Sequence, residues 1–242
     1  VRLVSWNIRA GGGKRIERIA AQLAVWRPDI VVLSEFRATP PSRWLADFVG
    51  NYGLHHQRTT ASAVDPARNA LLVASRWPLR RLSHVGASSD AHRWLAVTVA
   101  TPTPIQIGAL HVPNKATGRK YAFQHEALSV VSRWRRRPAL VVGDTNSGRA
   151  GIDEEVACFG AGEERFFDGF EELGWTDAFR QVRGRARAYT WYSPNGGNGF
   201  RLDQAMVNPR LQSHVERVAY RWGRGARGAL SDHAALLVDL AD

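Results

Sequence analysis

The chain has 242 residues, 44% of them hydrophobic, enough to bury a full core, and we expect residues 1–242 to form one domain. Against 22 Asp and Glu stand 33 Lys and Arg, of which only Lys14, Lys115 and Lys120 are lysine, for a net charge of +11; this favours a polyanionic partner such as nucleic acid or an acidic membrane surface, and arginine's planar fork of donors suits phosphate. The single cysteine, Cys158, excludes an intrachain disulfide and a Cys-based zinc site, and no apolar run approaches the ~20 residues of a membrane span, so a cytoplasmic protein is expected. The chain opens directly on a strand-like run and lacks an initiator Met, which leaves room for a removed leader.

In chain order, VRLVSWNI reads as a strand ending at Asn7, and RIERIAAQLAVW as a helix stopped before Pro28. DIVVLSEF is a strand carrying Glu35, PSRWLADFVGNY a helix, and NALLVASRW and RWLAVTVA further strands. IQIGALHV places Ile105, Ile107, Ala109 and His111 on one face, with Pro113 and Asn114 just beyond. RKYAFQHEALSVVSRWRRR predicts a helix up to Pro138, with Arg135, Arg136 and Arg137 paired with its C-terminal carbonyls. ALVVGD is a strand ending in Asp144, FEELGWTDAFRQV a helix, and FRLDQAMV, HVERVAYRW and HAALLVDL the last three strands.

Nearly every strand-like run thus ends in a group able to bind metal or handle protons, and sheet ends are where sites are built. Glu35 follows Val31 and Leu33 at period two, so its carboxylate shares their core-facing side and needs a positive partner, either a hard divalent cation or an Arg. Asp144 continues the Leu140/Val142 face and Asn146 points the same way: a general base oriented by an amide, an amide donating to phosphate, or a simple Asx-turn. Asp232 and His233 reach one site only if the backbone is irregular there, with the strand proper starting at Ala234. Asp203 lies between Arg201 and Ala205 on one face, where a structural salt bridge is the default reading.

The ordered set, Asn7, Glu35, His111-Val112-Pro113-Asn114, Gly143-Asp144-Thr145-Asn146, Leu202-Asp203 and Ser231-Asp232-His233, resembles the endonuclease/exonuclease/phosphatase superfamily of metal-dependent phosphodiesterases. The resemblance runs from Trp6-Asn7 to Asp232-His233. It implies an α/β fold, a four-layer sandwich of two packed mixed β-sheets flanked by helices, with the site at one end of the sheets. It further implies Glu35 as principal Mg²⁺ ligand, with Mn²⁺ a possible substitute, Asn7 beside it and Asp232 completing the metal site. By the same resemblance Asp144 activates or orients the attacking water, Asn146 aligns it, and His233, oriented by Asp203, contacts the scissile phosphate.

WTDAFRQV and YTWYSPNGGNGFRLDQAMVNPRL are similar to the matching stretch of exonuclease III-type apurinic/apyrimidinic endonucleases. That similarity implies an abasic-sugar pocket formed by Trp191 and Phe200, whose alternative is ordinary packing. Arg180, beside Arg183, Arg185 and Arg187, becomes a phosphate-gripping edge if exposed, and Asn114 a phosphate contact. His111 is the departure: that branch usually carries Tyr here, whereas secreted deoxyribonucleases and lipid or inositol phosphate enzymes carry His. An imidazole there can give a proton to the leaving oxygen at neutral pH. The expected function is a Mg²⁺-dependent DNA nuclease acting at abasic sites or from 3′ ends, with DNA as partner and no obligate protein partner. The alternatives are a lipid or inositol phosphate phosphoesterase, and a non-catalytic nucleic-acid-binding module.

Overall fold

In strands, side chains alternate between two faces, and here both faces of most runs are apolar, so each sheet must be covered on both sides. The computed structural model describes residues 1–82 and 88–241. Its elements in chain order are β1 (Arg2–Asn7), α1 (Ile16–Trp26), β2 (Ile30–Phe36), α2 (Pro40–Asn51), β3 (His56–Thr59), β4 (Ala70–Ser75), β5 (Leu79–Arg81), β6 (Trp94–Val99), β7 (Ile105–His111), α3 (Lys120–Val131) and β8 (Ala139–Asp144). There follow α4 (Ala161–Glu172), β9 (Thr176–Asp177), α5 (Ala178–Arg183), β10 (Trp191–Tyr192), β11 (Gly199–Phe200), β12 (Asp203–Val207), β13 (Val215–Arg221) and β14 (Ala235–Leu240).

Two six-stranded mixed sheets form, in the orders β13-β14-β1-β2-β4-β3 and β5-β6-β7-β8-β12-β9, with β10 and β11 as a separate ribbon. Leu3, Val32, Val73, Ile107, Ala109, Val142, Ala205 and Val238 fill the space between the sheets. On the outer face of the first sheet Val4, Trp6, Val31 and Leu33 pack against Ile19, Leu23 and Leu45 of α1 and α2. On that of the second, Leu110, Val141 and Met206 meet Phe123, Ala127, Phe166 and Phe170 of α3 and α4. The result is the expected four-layer α/β sandwich.

Two parallel pairs, β1 with β2 and β7 with β8, bring four strand C-termini to one edge. Antiparallel β12 and β14 begin at that same edge. Within the second sheet Gly143 has φ +145°, and a Cβ there would stand 2.0 Å from the Leu110 carbonyl oxygen, so β7 and β8 approach at this point only because the residue is glycine.

Several expected boundaries move. The helix read across FEELGWTDAFRQV is broken: α4 ends at Glu172, Gly174 takes φ +77°, and Trp175 turns into the core at 3% exposure. A second helix, α5, then starts from Asp177, whose carboxylate accepts from the backbone N–H groups of Phe179 (2.8 Å) and Arg180 (3.2 Å). α3 stops at Val131, so Arg135 to Arg137 lie beyond it, although Arg135 Nε does donate to the Ser132 carbonyl at 3.0 Å. FRLDQAMV is two strands, β11 and β12, parted at Arg201-Leu202, and β3, a polar edge strand, carries no apolar alternation that would announce it.

Candidate active site

Four inter-sheet faces run out into polar groups at the common edge. Leu3 leads at period two to Asn7, Ile107 and Ala109 to His111, Leu140 and Val142 to Asp144, and Val207 and Ala205 back to Asp203. Registry does the rest, since Asp144 is paired with His111 on one side and with Asp203 on the other. Asp144, 2% exposed, is the centre: its Oδ2 accepts from Asn7 Nδ2 at 3.0 Å and lies 3.6 Å from His111 Nε2 and 3.8 Å from His233 Nε2. Its Oδ1 accepts from the Asn146 backbone N–H at 2.9 Å.

His233 arrives by the irregular backbone that its adjacency to Asp232 demanded. The strand starts at Ala235, one residue later than expected, and His233 itself makes an isolated bridge to Trp191. Its Nδ1 is 2.8 Å from Asp203 Oδ2, so the default salt bridge from Asp203 to Arg201 is not the one that forms. Arg201, 1% exposed, instead pairs with Asp153 (2.7 Å) and Asp177 (2.5 Å).

The two imidazoles are driven apart electrostatically. Burial lowers the His111 pKa to about 4, aided by the nearby charge of Arg93 and only partly opposed by Asp144. Burial opposes the charge on His233 too, but Asp203 and Asp144 outweigh it and raise its pKa to about 10. Burial also raises the pKa of Asp144, with His233 and His111 pulling the other way. The surroundings thus favour a charged His233 and a neutral His111, which weighs against the expectation that His111 supplies a proton to the leaving oxygen.

Glu35 does not continue the Val31/Leu33 face. A bulge between Ser34 and Phe36 gives that face to Phe36, and Glu35 takes a left-handed backbone, φ 56°. Its Oε2 accepts from Ala10 N at 2.6 Å and its Oε1 from Asn7 Nδ2 at 3.3 Å, and among the described residues it has no ion-pair partner within 4 Å. Of the two partners left open for it, an Arg is not the one found. Asp232, its side chain 40% exposed, lies 3.8 Å from Arg9 Nε through its Oδ2 and accepts from Ser231 Oγ at 3.4 Å through its Oδ1. Glu35, Asp232 and the Asn7 carboxamide offer hard oxygen donors only. Among the described residues no three His, Cys, Asp or Glu side chains come together as a group that could hold a metal ion.

The remaining expected residues divide. Asn146, also left-handed at φ 45°, makes the Asx-turn with Asp144 but sends its own Nδ2 to the Val112 carbonyl at 2.7 Å, so its amide does not aim beside the carboxylate. Trp191 lies 6.5 Å from the His233 ring and 6.0 Å from Phe200, which is itself packed on Phe159 at 5.7 Å. Asn114 is exposed at the start of a short helical turn. Arg180 is not a free grip: its guanidinium is turned inward to Asp153 and to the carbonyls of Gly184 (3.1 Å) and Ala186 (2.7 Å), because the buried Asp153 demands positive partners.

Sequence reading missed two residues. Arg93, 16% exposed, donates to the His111 carbonyl at 3.3 Å, while its buried Nε, 4.0 Å from Asp90 Oδ1, has no hydrogen-bond partner among the described residues. Its position just before β6 is a signal only once the sheet order is known. Thr190, fully buried, accepts from Leu202 N (2.9 Å) and Asp203 N (3.1 Å) while its carbonyl takes Ala234 N (2.8 Å), so one residue braces both Asp203 and His233.

The whole fold is shared with known proteins. An AP endonuclease from Archaeoglobus fulgidus superposes with a TM-score of 0.83 at 20% identity, covering 99% of each chain. The 3′-5′ exonuclease NExo from Neisseria meningitidis gives 0.78 at 20% identity over 100% of both chains. A Neisseria 3′ phosphatase NExo structure bound to product DNA hairpin gives 0.77 at 20% identity, covering 100% of this chain and 99% of that one. Among curated proteins none matches the chain in sequence. The model of the Endonuclease/Exonuclease/phosphatase family matches residues 4–233, from β1 to His233, and the chain belongs to that family.

Proposed function

We propose that the protein is a divalent-metal-dependent phosphodiesterase that hydrolyses DNA, in the manner of an AP endonuclease or a 3′-5′ exonuclease, with Mg²⁺ as its cation and Mn²⁺ as a substitute. The observation that carries this reading is the buried Asp144 carboxylate with His111 Nε2 at 3.6 Å on one side and, at 3.8 Å on the other, Nε2 of a His233 held by Asp203. The net charge of +11 and the DNA-processing names of the similar structures favour nucleic acid over other phosphoesters. A cytoplasmic setting fits the lone cysteine; no helix among the described residues is long and apolar enough to cross a membrane.

In-line displacement at a phosphodiester needs an oriented nucleophile, compensation of developing charge and help for the leaving oxygen. Asp144, with its Oδ1 fixed by the Asn146 N–H, orients the attacking water and takes its proton. His233, held by Asp203, aims a charged N–H donor at a phosphate oxygen. His111 lends a neutral N–H, and Arg93 a guanidinium, to the same phosphate. A divalent cation held by Glu35, Asn7 and Asp232 would neutralise charge building on the phosphate oxygens. Trp191 over Phe200 walls the sugar next to the reacting phosphate, and Asn114 touches the strand at the rim.

The deciding experiment incubates the protein with Mg²⁺, Mn²⁺ or EDTA and labelled duplex DNA, intact or carrying an abasic site, beside a chromogenic phosphodiester and lipid headgroup and inositol phosphate substrates. Metal-dependent DNA cleavage that EDTA abolishes is expected. Turnover of the lipid or inositol phosphate with no DNA cleavage under either metal would overturn the reading.

His111→Tyr tests the neutral-donor role. A phenol donates a hydrogen bond without transferring its proton at neutral pH, so DNA cleavage should fall by no more than about tenfold. Complete loss in a folded variant would mean that His111 transfers a proton after all.

A further inference from the structure

The seam between the sheets does not end at the candidate site. Along the edge, the site runs from β14 and β12, through β1 and β8, to β2 and β7, and the next strands outward are β4 and β6. Ala70 opens β4 opposite Phe36, and Trp94 opens β6 opposite Leu110, so both start at the edge where Glu35 and His111 stand. Between them lies a cleft of about 590 Å³, lined on one side by the β3–β4 connection with Ser62, Asp65 and Arg68 and on the other by Arg81 and His92. Neighbouring strands are about 5 Å apart, so β4 and β6 stand one strand spacing from β2 and β7, which carry Glu35 and His111, and β6 stands two from β8, which carries Asp144.

Its charge is positive. Arg81 is exposed and has no ion-pair or hydrogen-bond partner among the described residues, and Arg68 commits only its Nε, to Asp65 at 2.8 Å, leaving both terminal nitrogens unused. Ser62 Oγ accepts from Val64 N at 3.2 Å and keeps its hydroxyl proton to donate. Behind them Asp90, fully buried, is shared by Arg119 (2.7 Å), His92 (3.8 Å) and Arg93 (4.0 Å), one carboxylate against two guanidinium groups and an imidazole. The His92 pKa lies below its ordinary value, first through burial and then because Arg93, Arg68 and Arg119 outweigh Asp90. Thr60 ties the cleft's two walls together, its hydroxyl donating to the His92 carbonyl at 2.6 Å and accepting from Leu71 N at 2.9 Å.

We propose that this cleft is a second phosphate subsite, in which Arg81, Arg68, Ser62 and His92 hold the backbone phosphate next to the scissile one on the same nucleic-acid strand. The proposal rests on the reading of the main site as a nuclease. The subsite gives the enzyme a preference for a strand over an isolated phosphodiester and fixes the side on which the strand leaves the reacting centre.

Arg81→Ala, Arg68→Ala and the double variant test it, each checked for fold by circular dichroism. On a short oligonucleotide the double variant should raise KM by about tenfold or more, the effect of losing charge-assisted hydrogen bonds, with kcat little changed. Turnover of a chromogenic phosphodiester, which has no neighbouring phosphate, should be unaltered. Replacing one linkage adjacent to the scissile bond by a neutral methylphosphonate should cost the wild type the same factor and the double variant nothing. Equal losses on both substrates, no loss on the oligonucleotide, or the same methylphosphonate effect in both proteins would overturn the subsite. Anisotropy of a labelled oligonucleotide in EDTA reads the same difference without catalysis, so a wild type that cleaves nothing sinks the nuclease reading while binding still decides the subsite. Tight inorganic phosphate binding that the double variant abolishes, without any linkage effect, would assign the cleft to a free anion and overturn the proposal.

Discussion

Asp144→Asn should lose DNA cleavage by at least a hundredfold while melting no lower than the wild type. The activity loss follows from removing the carboxylate that, alone among the described residues, lies within 4 Å of both imidazoles, and groups acting on charge in the transition state are worth on the order of 10²–10³ in rate. The stability result follows from linkage. Burial raises the Asp144 pKa, so the folded state binds that proton more tightly than the unfolded chain, and ionising the group at neutral pH costs folding free energy. The sign is therefore opposite to that of a salt-bridged Asp. The variant's advantage should be largest above the folded-state pKa and should vanish below about pH 4, the ordinary Asp value. Steady-state rates with Mg²⁺ and thermal melts from pH 4 to 8 check both halves. A variant with more than a tenth of wild-type activity would remove Asp144 from the mechanism. His233→Ala should also abolish cleavage, but less cleanly, because it leaves Asp203, 1% exposed, without its imidazole.

Asp153→Ala should be the most destabilising single change outside the site, costing about 3–5 kcal/mol, the range for breaking a buried ion pair by removing one partner. Asp153 is fully buried and accepts from Arg201 Nε (2.7 Å) and Nη2 (2.9 Å), from the Arg149 backbone N–H (2.9 Å) and from Arg180. Burial would raise its pKa, but Arg201 leads a set of partners that bring it below the ordinary value. This contribution is thus full above about pH 4 and is lost as pH falls through the folded-state pKa. Urea unfolding at pH 7 measures the loss, and a change under 1 kcal/mol would show that Asp177, 2.5 Å from Arg201 Nη2, suffices to hold the guanidinium. Replacing Asp153 and Arg201 together by apolar residues should cost less than Asp153→Ala alone.

Period two made much of the site legible. Asn7, His111, Asp144 and Asp203 each continue an inter-sheet face whose apolar members could be read directly, and the four faces converge because β1, β7, β8 and β12 reach one edge. Glu35 broke the pattern through a bulge, which shifts every later side chain by one and leaves no mark in residue type. Arg180 looked like an exposed grip because its natural partner, Asp153, is 27 residues away in a segment with no regular pattern. The helix across Gly174 failed for a related reason: apolar spacing ran on through a turn that only a left-handed glycine reveals. Arg93 was invisible because nothing local distinguishes it from the other arginines, and only the pairing of Trp94 with Leu110 sets it beside His111.

The close approach of Gly143 to the Leu110 carbonyl sets a limit on redesign. The separation of His111 from Asp144 is written into main-chain geometry, one residue upstream of each, and no choice of side chain at either position can adjust it. A Cβ at Gly143 would push β7 from β8 at the register step that juxtaposes the imidazole and the carboxylate. Attempts to change the reaction by swapping functional groups at this edge will therefore keep the inherited spacing. Attempts to change the spacing must begin by rebuilding two strands.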